Sequence, residues 1–123
     1  MEDNPKILIA EDVESNYLYL HAVLSKIKAT IFWAKNGREA VEIFNQQGDI
    51  DLVLMDLQMP EMNGYEATGL IKRENPGVPI IAQTAFAMSD DRGKALDAGC
   101  DDYLPKPIKS KDLLNIVEKY IHR

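Results

Sequence analysis

Five short strand-like runs alternate along the chain with stretches whose apolar residues recur at helical spacing. The runs cover residues 6–10, 30–34, 52–55, 78–83 and 102–104. Short and mostly apolar runs are typical of strands buried on both faces. Regular alternation of strands and helices favours a parallel sheet covered by helices on both sides. We therefore predict an α/β fold of five strand–helix units in three layers.

Helix signals agree with this alternation. Apolar residues at 13, 17, 20, 24 and 27 follow the spacing of an amphipathic helix. Asn36 precedes Glu39 by three residues, which predicts a capped helix start. Gly48 is placed to end that helix, and later helices are predicted through 67–71, from 89 and from 110.

Length and composition narrow the class of protein. A chain of 123 residues is the size of one domain, so we predict a single domain over 1–123. Its 46% apolar and 28% charged residues are typical of a folded globular chain. The acidic start is unlike a signal peptide, and no apolar run reaches the roughly 20 residues of a membrane span. We expect a cytoplasmic location without membrane contact by this domain.

Charge and cysteine content exclude other classes. The net charge is −6, and the sequence holds no cluster of Lys and Arg for a nucleic-acid backbone. We therefore expect no direct contact with nucleic acid. A single cysteine, Cys100, permits neither an internal disulfide nor a thiolate zinc site.

Polar residues follow four of the five predicted strands. They are Glu11 and Asp12 after the first, Asp56 after the third, Thr84 after the fourth and Lys106 after the fifth. In open α/β sheets, ligands bind beyond the carboxyl ends of the strands. Taken singly, Asp12 is a plausible helix cap, Thr84 a turn hydroxyl and Lys106 a surface lysine. Their joint placement favours a functional site.

Three carboxylates that meet with too little positive charge either take up protons or bind a cation. A set of oxygen ligands without a soft donor favours Mg²⁺ or a similar hard ion. A divalent cation beside a carboxylate and a lysine is suited to phosphoryl chemistry, in which the carboxylate attacks and the cations neutralise phosphoryl oxygens.

These residues lie in four motifs, at 7–12, 54–64, 83–85 and 98–107. The four polar residues follow one another at intervals of 44, 28 and 22 residues: Asp12, Asp56, Thr84 and Lys106. In the residues of these motifs and in their order, the sequence resembles the receiver domain of two-component response regulators. It looks most like the receivers of hybrid sensor histidine kinases. The resemblance covers essentially the whole chain. It implies a flavodoxin-like (βα)5 doubly wound parallel sheet with strand order 2-1-3-4-5.

The resemblance implies a role for each acid. Asp56 matches the phosphoacceptor. Asp12 and Asp56 match direct ligands of Mg²⁺ (or Mn²⁺), together with the backbone carbonyl of Gln58. Glu11 matches the acid that holds the metal through water, and as Glu rather than Asp it adds one methylene of reach.

Other matches concern the phosphoryl group and the conformational switch. Thr84 and Lys106 match the hydroxyl and the ammonium that bind phosphoryl oxygens. Thr84 and Tyr103 match the pair that transmits the switch, and the Lys106–Pro107 bond matches one that is usually cis. Gln58 and Phe86 lie two residues past Asp56 and Thr84, so we predict that they flank the approach of water to the phosphoryl group.

The function implied is phosphorelay signal transduction. Asp56 takes a phosphoryl group from a sensor histidine kinase or a histidine-phosphotransfer domain, which we expect to dock against the first helix near Asn16. The isolated chain then catalyses only its own phosphorylation and dephosphorylation and is no enzyme toward other substrates. We favour a hybrid histidine kinase as its parent polypeptide over the alternative of a free-standing single-domain regulator.

Three other functions share part of this pattern. A flavodoxin-like flavin domain shares the architecture, but Glu11 and Asp12 would repel a phosphate after the first strand. A dehalogenase-like phosphatase needs a second Asp two residues after the nucleophile, where this chain has Gln58. A receiver-like docking module that works without phosphorylation is the third alternative, and the complete acid set favours a phosphorylated receiver over it.

Overall fold

The computed structural model describes residues 4–84 and 89–121, without the side chains of 89–92. The strands are β1 (Lys6–Ala10), β2 (Thr30–Ala34), β3 (Leu52–Asp56), β4 (Ile80–Thr84) and β5 (Asp102–Pro105). The helices are α1 (Glu14–Ser25), α2 (Gly37–Gln47), α3 (Gly64–Glu74), α4 (Ser89–Ala98) and α5 (Ser110–Tyr120). The predicted alternation of strands and helices is confirmed.

All neighbouring strands pair in parallel, in the order β2-β1-β3-β4-β5. The strand order expected from the resemblance is therefore correct. Ala10 lies opposite both Ala34 and Met55, and Asp56 lies opposite Gln83. This register brings the carboxyl ends of the central strands level, so the residues that follow them share one edge of the sheet.

The sheet has an apolar core on each face. Every residue of β3 is buried, and successive residues along β1 alternate between the two cores. Leu8 packs with residues of α2 and α3, whereas Ile9 packs with residues of α1 and α5. Strand periodicity of two therefore supplies both helix layers with apolar surface.

Some observed strand and helix boundaries differ from the predicted ones. The fourth strand begins at Ile80 rather than at residue 78, because Pro79 has no N–H to donate to a ladder. The first helix ends at Ser25, so Ile27 lies beyond it and is exposed. Val13 is the N-cap residue of that helix and is also exposed, so neither residue belongs to the buried face of the predicted amphipathic helix.

The predicted ends of α2 are confirmed. The Asn36 side chain accepts a hydrogen bond from the Glu39 backbone N–H at 2.8 Å, and Glu39 in turn accepts from the Lys35 N–H at 2.8 Å. Gly48 ends the helix in the left-handed region, with φ of 74°. Within the described parts of the chain, no helix is long and apolar enough to cross a membrane.

The start of α3 packs closely against the end of β3. A Cβ atom at Gly64 would lie 2.3 Å from the Asp56 carbonyl oxygen and 2.8 Å from the Leu57 Cα, so any side chain there displaces backbone. Asn63 caps the helix by accepting from the Glu66 N–H at 3.0 Å. The helix start thus supports the strand end that carries Asp56.

Replacing Gly64 with Ala is expected to lower the free energy of unfolding by roughly 1–3 kcal/mol, because the added methyl group overpacks this contact. Gly69→Ala is the matched control, since a Cβ there meets nothing within 4 Å and the residue is exposed within α3. It should raise stability by about 0.5–1 kcal/mol through helix propensity. Urea unfolding measures both, and equal effects of the two variants would contradict the contact.

Candidate functional site

Three carboxylates meet at the carboxyl edge of the sheet. Glu11 follows β1, Asp12 starts the loop to α1, and Asp56 ends β3; one oxygen from each lies within 4.8 Å of the others. Glu11 is fully buried and Asp56 is 2% exposed, whereas Asp12 is open to solvent. The cluster therefore has a buried floor and an accessible mouth, and its oxygens are ligands suited to a hard cation.

Lys106 brings a positive charge to this cluster. Its Nζ lies 3.1 Å from Asp56 Oδ2 and 3.3 Å from Glu11 Oε1. The residue follows β5, and its backbone N–H donates to the Thr84 carbonyl at 2.7 Å, which fixes the loop against the end of β4. One ammonium among three carboxylates leaves the site short of positive charge.

The pKa values of the buried pair reflect this imbalance. Burial raises the pKa of Glu11, and the nearby charge of Asp56 raises it further, against the lowering influence of Lys106. Burial lowers the pKa of Lys106, but attraction to Asp56 and Glu11 outweighs burial, so this pKa lies above its ordinary value. Lys106 therefore stays protonated at neutral pH, and added positive charge at the site would favour the ionised form of Glu11.

Backbone and side-chain donors orient the two buried carboxylates. Asp56 Oδ1 accepts from the Gln58 backbone N–H at 3.0 Å, which leaves Oδ2 to Lys106. Glu11 Oε2 accepts from the Val13 N–H at 3.2 Å and from the Asn16 amide at 3.5 Å. The Gln58 side chain is exposed beside the acid cluster.

The predicted switch residues lie on the neighbouring strands. Thr84 ends β4 and is 2% exposed, one residue beyond Gln83, the register partner of Asp56. Tyr103 is half-buried on β5 and packs against the core under α2 and α3. The Lys106–Pro107 bond is cis, as expected. Phe86 lies outside the described residues.

Trp33 borders the site in a way that the sequence did not reveal. Its indole N–H donates to the Glu11 carbonyl at 2.8 Å, and its ring stacks on Tyr17 with a centroid distance of 4.1 Å. From the sequence alone, Trp33 is predicted only to pack in the core or at a strand end. No local pattern could have found the contact, because it joins β2 to the loop after β1.

Comparison with known proteins identifies the family. The sequence profile of the response regulator receiver domain matches residues 7–118. The chain is 43% identical over 120 residues to hybrid signal transduction histidine kinase G of Dictyostelium discoideum, covering 94% of this chain and 4% of the kinase. It is 37% identical over 121 residues to the sensor protein GacS of Pseudomonas syringae pv. syringae, covering 94% of this chain and 13% of that protein. The chain thus spans a small part of these relatives.

Solved structures agree. The receiver domain of Saccharomyces cerevisiae Ssk1, in a co-crystal with the histidine phosphotransfer protein Ypd1, is 35% identical with a TM-score of 0.88, over 98% of this chain and 90% of that one. The receiver domain of the sensor histidine kinase PA1611 from Pseudomonas aeruginosa PAO1, with a magnesium ion in its active site cleft, is 35% identical with a TM-score of 0.90, over 98% of this chain and 100% of that one.

A more distant likeness supports the fold alone. Vibrio cholerae CheY4 is 22% identical with a TM-score of 0.90, over 97% of this chain and 100% of that one. Because the family profile covers most of the sequence, and relatives above 30% identity align with 94% of it, we conclude that the chain belongs to the response regulator receiver domains of two-component phosphorelays.

Proposed function

We propose that this domain accepts a phosphoryl group from a phosphohistidine onto Asp56. The observation that carries the proposal is the buried Asp56 carboxylate, held by Lys106 at 3.1 Å and grouped with Glu11 and Asp12. A carboxylate oxygen forms the new P–O bond while the P–N bond to the imidazole breaks. The imidazole leaves with the electron pair of that bond and takes up a proton, so it departs as neutral imidazole.

The acid cluster fits Mg²⁺, and by the same oxygen chemistry Mn²⁺. In this proposal Asp12, Asp56 and the Gln58 backbone carbonyl hold the ion directly, and Glu11 holds it through water. The charge imbalance and the raised pKa of Glu11 support a cation here. A bound Mg²⁺ supplies positive charge to the phosphoryl oxygens; the magnesium-bound receiver of PA1611 supports this assignment by analogy.

Phosphorylation changes what Lys106 and Thr84 must bind. A phosphoryl group brings a charge near minus two and three acceptor oxygens in place of a single carboxylate charge. Lys106 already contacts Asp56, and in this proposal it pairs with one phosphoryl oxygen. The Thr84 hydroxyl at the adjacent strand end donates to another. Water later hydrolyses the phosphoryl group from Asp56. We expect Gln58, at the mouth of the site, and Phe86 to flank the approach of that water.

The same contacts supply the proposed conformational switch. Movement of Thr84 toward the phosphoryl group changes the space beside β5, where Tyr103 lies half-buried. Phosphorylation then favours one of two packings of these residues, and the change is a shift in their populations.

The surface of α1 fits a phosphohistidine-bearing partner. Leu18 is 54% exposed and Tyr19 is 43% exposed, while Asn16 is exposed nearer the acid cluster. An apolar centre with polar neighbours is typical of a transient interface. The complex of the Ssk1 receiver with Ypd1 supports a histidine-phosphotransfer or histidine-kinase domain as the partner class.

The parent protein is proposed to be a hybrid histidine kinase, because such kinases are among the relatives of this chain. In isolation the chain would catalyse only its own phosphorylation and dephosphorylation. The cytoplasmic location expected from the sequence belongs to the same proposal. A docking module that never becomes phosphorylated is the competing function, and the next experiment separates the two.

The wild-type domain should gain one phosphoryl group from acetyl phosphate with Mg²⁺ and none in excess chelator, as measured by intact-mass spectrometry. Asp56→Asn should abolish labelling, because the nucleophilic carboxylate is gone. Asp49→Asn is the matched control, since Asp49 is exposed before β3, at the opposite end of that strand. Labelling of Asp56→Asn at the wild-type rate would show that the acceptor lies elsewhere, and no labelling of wild type would favour the docking module.

Asp12→Ala should weaken Mg²⁺ binding by at least about tenfold, since even supporting groups around metal ligands contribute 10- to 100-fold. Trp33 fluorescence can report the titration, because its indole N–H contacts the Glu11 carbonyl. Glu14→Ala is the control: Glu14 is an exposed acid in the first turn of α1. An Mg²⁺ affinity in Asp12→Ala equal to that of the control would rule out direct ligation by Asp12.

Leu18→Arg should slow phosphotransfer from a phosphohistidine domain by roughly tenfold, the effect of losing a contact at the centre of an interface. Labelling by acetyl phosphate should be unchanged. Leu18 gives a cleaner test than Asn16, whose amide contacts Glu11. Leu96→Arg is the matched control, because Leu96 is 47% exposed on α4. Normal transfer to Leu18→Arg would place the docking surface away from this part of α1.

A further inference from the structure

The three clustered acids lie outside α2, yet the start of α2 holds the loop that follows Asp56. This loop, residues 57–63, joins β3 to α3 and is called the β3–α3 loop below. The Gly37 N–H donates to the Met62 carbonyl at 2.9 Å. A Cβ atom at Gly37 would overlap that carbonyl oxygen and lie 2.8 Å from its carbon. Only glycine therefore allows the two backbones to approach this closely.

Two side chains at the start of α2 bind Glu61, in the middle of the β3–α3 loop. The Asn36 amide donates to one carboxylate oxygen of Glu61 at 3.1 Å, and Arg38 Nη2 lies 3.3 Å from the other. Asn36 is 6% exposed, and its amide oxygen accepts the capping bond from the Glu39 N–H. Both ends of the Asn36 amide are thus in use, one for the helix and one for the loop.

The backbone of Glu61 shows that these contacts constrain the loop. Its φ of 64° lies in the left-handed region, which favours glycine. A non-glycine residue keeps such a conformation where the surrounding structure holds it. The side-chain contacts from α2 supply that hold.

The same loop reaches the acid cluster at its other end. The Gln58 N–H donates to Asp56 Oδ1 at 3.0 Å, so Gln58 is tied to the proposed phosphoacceptor. Glu61 lies only three residues further on, and Pro60 between them has a fixed φ. Because this short segment has little freedom to absorb a displacement, a shift at Glu61 is passed to the backbone of Gln58.

We propose that Asn36 and Glu61 are positioning residues of the magnesium site, because their hydrogen bond sets the place of the Gln58 backbone carbonyl relative to the acids. The inference rests on the function proposed above and deepens it by assigning part of the metal affinity to α2. In this proposal neither side chain touches the ion or the phosphoryl group, and both act through the β3–α3 loop.

Asn36→Asp breaks this bond and keeps the helix cap. Aspartate caps helices as well as asparagine does, but its carboxylate cannot donate to Glu61 and repels it. We expect about fivefold weaker Mg²⁺ binding by the full chain, the effect of one hydrogen bond, measured by ¹H–¹⁵N NMR titration with Mg²⁺. The Gln58 amide signal should already shift in the metal-free variant. Asn45→Asp, exposed on α2, is the charge-matched control.

The direction of the effect separates positioning from simple electrostatics. An added negative charge would by itself strengthen the binding of a cation, so weaker binding reports a displaced loop. Urea unfolding without Mg²⁺ measures the stability of each variant independently of its metal affinity. An Mg²⁺ affinity of Asn36→Asp equal to that of Asn45→Asp would overturn the proposal.

The double variant Asn36→Asp with Glu61→Gln reverses the bond. The new amide at position 61 donates to the new carboxylate at position 36, its oxygen still accepts from Arg38, and the net charge equals that of wild type. We expect the Mg²⁺ affinity to return to within about twofold of wild type and the Gln58 amide signal to return with it. Failure of the swap to restore the lost affinity would also refute the positioning role.

Glu61→Ala removes the same bond from the side of the loop and decides the matter alone if Asn36→Asp does not fold. It should bind Mg²⁺ about fivefold more weakly than Glu66→Ala, which removes an equal charge at an exposed position of α3. Equal affinities of these two variants would contradict the inference. A wild-type chain that binds no Mg²⁺ would instead refute the metal site proposed above, and this inference with it.

Discussion

The contact of Lys106 with Asp56 and Glu11 is the interaction around which this domain is organised. Burying two carboxylates is costly unless a cation stays close to them. The fold provides this cation from the loop after β5 and fixes the loop through the Lys106 N–H bond to Thr84. Compensation is incomplete because Asp12 adds a third acid. The remaining negative charge favours binding of a divalent cation, and in the proposed function that cation offsets the negative charge of the phosphoryl group.

Support for the acids comes from apolar layers on both sides of the sheet. The fully buried β3 ends in Asp56, and Gly64 allows α3 to pack directly on the backbone at that point. The carboxylate is therefore held by rigid elements, whereas Asp12 and Gln58 lie at the exposed rim. Such a division suits the proposed phosphoryl transfer, in which Asp56 must stay in place while metal, donor and water reach it.

Local pattern predicted most of the fold. The alternation of strands and helices, the Asn36 cap and the Gly48 end follow from periodicity and turn chemistry, which act over a few residues. The grouping of the acids followed from parallel strand topology, and the resemblance supplied the strand order and individual roles. The Trp33 bond to the Glu11 carbonyl depends on tertiary packing, so no sequence spacing indicated it.

The exposed apolar surface of α1 has a consequence for how signals pass. In the docking proposed above, the exposed Leu18 and Tyr19 would supply a weak contact, and a donor that must leave after each transfer benefits from weak binding. When donor and receiver lie on one polypeptide, a flexible connection holds them at an effective concentration in the millimolar range. The tether, rather than the affinity of the contact, then decides which donor is used. A freely diffusing donor with the same weak contact is present at a far lower concentration than the tethered one.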